Sequence, residues 1–147
     1  MPASRHPVVL RYHDAGCGSY GWREGLAMSR DIQVLADDVV REKLDQAGLG
    51  QWFIENGWIR RKYMTDGWPS TLMLVNAVGF ACEAAWHHAD MDVTWGRVTV
   101  KLKTHSHRGL TDLDIELARR IEDVALWRPG AESALQGSPN KFVFVKE

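Results

Sequence analysis

From Arg97 to Thr104 the chain alternates without a slip. Val98, Val100, Leu102 and Thr104 fall on one side, and Arg97, Thr99, Lys101 and Lys103 on the other. A period of two belongs to a strand with one face on a core and the other in water. By the same alternation Trp95 and His105 lie on the polar side, which puts the histidine outside the core, where it can meet a ligand. The strand is read here as beginning at Val93, with Ala89-Asp90-Met91-Asp92 as a connection before it.

Three other segments read as helices. Ile32, Leu35, Val39, Val40 and Leu44 recur at helical spacing from about Ser29, closed by Gly48 and Gly50. Pro69 suits a helix start, and Leu72, Val75, Val78, Cys82 and Ala85 form a stripe running to about Trp86. The third helix follows Thr111, a candidate N-cap with Asp114 at the capping-box position and Leu110 and Ile115 as a hydrophobic staple. Leu113, Leu117, Ile121 and Val124 would be its buried stripe, and Arg128-Pro129-Gly130 its end. Between the first two helices, Trp52 to Tyr63 reads as two strands around Asn56-Gly57, a strong hairpin signal.

The ends of these elements carry the chemistry. His87 and His88 close the second helix, and His105 ends the long strand. Glu83 lies four residues before His87, which on a continuing helix places both on one face, one turn apart. Asp114 follows His105 by nine residues. Imidazole titrates near neutrality, so such a cluster suits proton transfer. The spacing matches no zinc pattern: there is no cysteine pair and no helical pair of histidines four residues apart. Nor is there a serine or cysteine nucleophile arrangement or a phosphate-binding loop. Adjacent histidines at a helix C-terminus can also simply cap carbonyls, and Trp95 can be plain packing.

Glu83-x-x-x-His87-His88, then Trp95, His105 and Asp114, together with the strand Val98–His105 and the segment Gly109–Ala118, resemble the signature of the pterin-4a-carbinolamine dehydratase family. The resemblance spans about residues 32–127. It implies an α+β domain with a four-stranded antiparallel sheet and helices on one face, in the order α-β-β-α-β-β-α. The remaining strand would lie around Ala89 to Val93. It also implies loss of water from a 4a-hydroxytetrahydropterin to give a quinonoid dihydropterin, with the pterin as substrate and neither cofactor nor metal. By that resemblance His87 and His105 are the acid/base pair, His88 helps bind the pterin, Glu83 orients His87, and Trp95 and Asp114 belong to the substrate pocket. Members form homodimers or homotetramers. Two residues depart from the pattern: Ala89 stands where the family usually has proline, and Trp86 where it has a polar residue. Some relatives associated with carboxysomes are thought to assist RuBisCO assembly without catalysis. That role is the alternative, and Phe142 and Phe144 in the tail would suit such a partner.

The 147 residues suffice for one domain with a real core. We divide them into an extension over 1–30, a domain over 31–128 and a tail over 129–147, where Lys141 to Val145 could add an edge strand. The extension is expected to be flexible, with glycines at 16, 18 and 21 breaking any period. A net charge of -1 gives no footprint for nucleic acid. The densest basic run, Arg60-Arg61-Lys62, reads as a solvated strand edge. Two distant cysteines, Cys17 and Cys82, suggest no disulfide. With no apolar run for a leader or membrane span near the start, a cytoplasmic location is expected.

Overall fold

The computed structural model describes residues 8–10 and 31–145. The expectations placed on Cys17, on the glycines at 16–21 and on the flexibility of residues 1–7 and 11–30 lie outside the described residues, while residues 8–10 of the expected flexible extension form a strand. The sheet holds β1 (Val8–Leu10), β2 (Phe53–Glu55), β3 (Trp58–Thr65), β4 (Asp90–Thr94), β5 (Arg97–Leu102) and β6 (Val143–Phe144). Its order is β1-β4-β5-β3-β2, all pairs antiparallel, with β6 joining the edge of β3 beyond the end of β2. Helices α1 (Asp37–Gln46), α2 (Trp68–Ala85) and α3 (Asp112–Leu126) supply the cover. The fold is α+β. The four central strands, β2 to β5, are those the sequence implies. Two more come from segments read as extension and tail.

Core and open faces follow strand register. Ile59, Tyr63, Val98, Val100, Leu102, Met91 and Val93 are buried with Val78, Leu117 and Ile121 from the helices. Arg60, Lys62, Lys101 and Lys103 take alternate positions on the other face, as the period of two demands. Arg61 overturns the reading of the basic run. It lies on the core side, buried, and its guanidinium grips Glu122 of α3 at 2.9 and 3.1 Å. Tyr63 and Trp52 donate to the same carboxylate at 2.6 and 3.1 Å. Burial alone would raise Glu122, but Arg61, Tyr63 and Trp52 outweigh it and hold the carboxyl below its ordinary range. Burial, and then the Glu122 charge, push the Tyr63 hydroxyl up.

Several boundaries differ from expectation. Helix α1 begins at Asp37, not near Ser29, because Leu35 is pinned in a bridge to Leu110, its N–H donating at 2.8 Å. The long strand is two strands. Trp95 and Gly96 form a two-residue turn, with Val93 opposite Val98. The stripe on α2 is rotated: Ser70, Thr71, Leu74, Val78, Ala81 and Cys82 are buried, while Leu72 and Ala85 face out. Burial pushes the Cys82 thiol up, leaving it a packing group. On α3, Leu117 and Ile121 are buried as expected, but Val124 is exposed. The β2–β3 hairpin is as expected. Asn56 and Gly57 both have positive φ, 54° and 73°, as a two-residue turn of this hand requires.

Candidate active site

The candidate residues gather where α2 ends, β5 ends and α3 begins. Helix α2 stops at Ala85. Trp86 takes a left-handed conformation, φ 51°, and His87 N–H bonds back to Cys82 O at 3.1 Å. A left-handed residue with such a back-bond closes a helix and turns the chain away. His87 is therefore not a turn further along the helix from Glu83, and the expected Glu83–His87 pair does not form. Glu83 instead accepts from Nε2 of His88 at 3.1 Å. Trp86 stands edge-on to the His88 ring, with centroids 5.7 Å apart.

His87 is held by Asp114. Its Nε2 lies 2.8 Å from Oδ1 of that carboxylate, which is completely buried. A carboxylate only accepts, so the neutral ring carries its proton on Nε2 and its lone pair on Nδ1. The other oxygen, Oδ2, accepts from Thr111 N–H and Thr104 Oγ1, both at 2.8 Å. Thr111 in turn caps α3, closing the capping box expected from sequence. Its hydroxyl is 2.7 Å from that of Thr104. Since Thr104 donates to Asp114, Thr111 donates to Thr104. The hydroxyl order is thereby fixed, and every oxygen in the hub is satisfied. Asp114 was expected in the substrate pocket. Its oxygens are committed inside the chain, to His87, Thr104 and Thr111.

His105 follows Thr104 directly and opens a 3₁₀ turn, His105–His107. The turn is closed by a bridge between Thr104 and Gly109 and by left-handed Arg108. A Cβ at Gly109 would meet the side chain of exposed Val34, which would have to shift. The His105 ring is exposed and meets Trp58 of β3 edge-to-face, with centroids 5.3 Å apart. Lys103 places its ammonium 5.8 Å from the same indole. His87 and His105 are thus joined through Asp114 and Thr104, by two hydrogen bonds and one peptide link.

Trp95 is not brought to the histidines. It sits in the β4–β5 turn beside Gly67, its carbonyl accepting from Thr71 at 2.9 Å, and is 57% exposed. Those partners mark the start of α2, and the histidines follow its end, about 27 Å away for an 18-residue helix. A groove of about 530 Å³ runs between α2 and α3, lined by Phe80, Ala84, Leu113 and Leu117 among others. It borders His87 and none of the other expected site residues. Among the described residues no group of three His, Cys, Asp or Glu is placed to hold a metal ion. Sequence reasoning missed Thr104 and Trp58. Thr104 had a signal, a hydroxyl on the core side of an alternating strand that must find a partner.

One histidine held by a buried carboxylate, a second beside it and a third linked through that carboxylate stand together on an α+β domain. Residues 33–124 match the sequence pattern of the family described as pterin 4 alpha carbinolamine dehydratase, and the chain belongs to that family. A candidate dehydratase of this kind from Aquifex aeolicus is 34% identical over 93 residues, which cover 63% of this chain and 92% of that one. One from Nocardia farcinica is 38% identical over 93 residues, 63% of this chain and 96% of the relative. Among solved structures, a transcriptional coactivator/pterin dehydratase from Brucella melitensis superposes with a TM-score of 0.58 at 26% identity. That match covers 63% of this chain and 99% of the other. Strands β1 and β6 lie outside the matched residues.

Proposed function

We propose that the chain dehydrates a 4a-hydroxytetrahydropterin to a quinonoid dihydropterin by histidine acid/base catalysis. The observation that carries this reading is the Asp114 hub, which orients His87 and ties it to the strand end that presents His105. One imidazole takes the ring N–H proton while the other gives a proton to the 4a hydroxyl, which leaves as water. The double bond forms between that nitrogen and C4a, so the protons and electrons balance without a cofactor or metal. His88, paired with Glu83, would contact the pterin. Asp114 has the role first assigned to Glu83, holding His87 in one tautomer.

The test is the rate of quinonoid formation from a freshly generated carbinolamine. Purified protein should accelerate it, and His105→Ala should cost roughly two orders of magnitude or more. A wild type no faster than buffer ends the reading.

The alternative, a non-catalytic RuBisCO assembly factor, is supported by Trp86, which is 68% exposed at the edge of the site. The tail supports it less. Phe142 packs against the core beneath Arg128, and Phe144 is half-buried in β6. Immobilised protein that captures no RuBisCO subunits would remove it. Self-association belongs with the first reading, because Leu72, Met73 and Phe80 on α2 and Val124 on α3 are large apolar side chains left in solvent.

A further inference from the structure

The three histidines are held unequally. His87 and His88 each have a carboxylate at Nε2. His105 is exposed, and among the described residues its ring makes no hydrogen bond. Its main chain is fixed, because Thr104 is tied to Asp114 and bridged to Gly109. Its side-chain torsions are not fixed by anything in its own turn. The group that meets the ring is Trp58, at 5.3 Å and an interplanar angle of 73°. That edge-to-face geometry is attractive and directional.

The fold delivers Trp58 to this position. The Asn56-Gly57 turn sets the β2–β3 register, and Ile59 opposite Leu102 sets β3 against β5. One residue further along, Trp58 lies beside Lys103, two residues before His105. The Lys103 ammonium rests near the indole, and a Cβ at Gly57 would stand 3.6 Å from it. A cation over an indole restrains both groups. The ring that meets His105 is therefore itself held, by a residue on a different strand.

We propose that Trp58 is the positioning residue of His105, its indole fixing the imidazole in the orientation used for proton transfer. The role in catalysis rests on the dehydratase reading; the positioning itself does not. A loosely held acid or base spends part of its time out of reach of the substrate. That lowers turnover and leaves binding unchanged.

The experiment compares wild type with Trp58→Phe and Trp58→Leu, each checked for an unchanged circular dichroism spectrum. Trp58→Leu should lower kcat about tenfold with KM within about twofold, while Trp58→Phe, which keeps an aromatic partner, should stay within about threefold. The His105 ring protons, followed by NMR without substrate, should lose their ring-current shift in Trp58→Leu and keep most of it in Trp58→Phe. His105 signals that do not move in Trp58→Leu overturn the positioning, whatever the activity. Signals that move as expected in a wild type inactive on pterins support the positioning and count against the dehydratase reading instead.

Discussion

A carboxylate with no exposed surface needs its lone pairs answered, and Asp114 has them answered by groups with separate purposes. Thr111 N–H is at the start of α3, Thr104 lies just past the end of β5, and His87 is the proposed acid/base group. One side chain thus joins helix capping to the orientation of His87. Asp114→Asn keeps the shape but removes the charge and one acceptor, so His87 loses its enforced tautomer. We expect kcat to fall about a hundredfold, the scale of a misplaced general acid or base. The melting temperature should drop as well, since a buried hydrogen bond to a charged group contributes about 1.5–3 kcal/mol. A kcat within twofold of wild type would contradict the role given to Asp114. The capping box was legible from Thr111 and Asp114 alone, because capping is local. The His87–Asp114 bond was not, because it depends on how α2 packs against α3, and no spacing encodes that. The Glu83–His87 pairing failed for a related reason: it assumed a helix that continues through position 86.

At the scale of elements, Trp86 is the exception to explain. A bulky residue at φ 51° is strained, by roughly 1 kcal/mol or more, in a conformation where glycine is at ease. Trp86→Gly should therefore raise the melting temperature by about 2–4 °C in a thermal scan. Any loss of activity would reflect the lost contact with the His88 ring. A lower melting temperature would mean that the packing of Trp86 outweighs its strain. The β4–β5 turn had a signal that went unread. The apolar positions are odd in Met91 and Val93 and even in Val98, Val100 and Leu102. Two strands joined by a two-residue turn must switch parity, and the switch falls on Trp95-Gly96. Trp95 had been taken as part of a continuous strand, which hid its place at the far end of α2.

The whole molecule extends the family's four strands on two edges. β1 pairs with β4, and β6 with β3. The alternation around Lys141 to Val145 announced β6, whereas the glycine-rich stretch after Tyr12 masked the short apolar run at Val8–Leu10. An apolar surface remains on the helices, where Phe80 is 76% exposed. If that face joins copies, light scattering at micromolar concentration should give a multiple of 16.6 kDa, and Phe80→Glu should return a single-chain mass. A wild type that already runs as one chain would contradict the assembly.

The dehydratase reading requires the imidazoles to serve one ligand. NMR of protein labelled at histidine, titrated with a stable dihydropterin, tests this directly. The His87, His88 and His105 signals should move together along one binding curve while His107 stays still. Movement of His87 alone would place the ligand in the groove between α2 and α3, and no movement would leave the pterin without a site; either result contradicts the account.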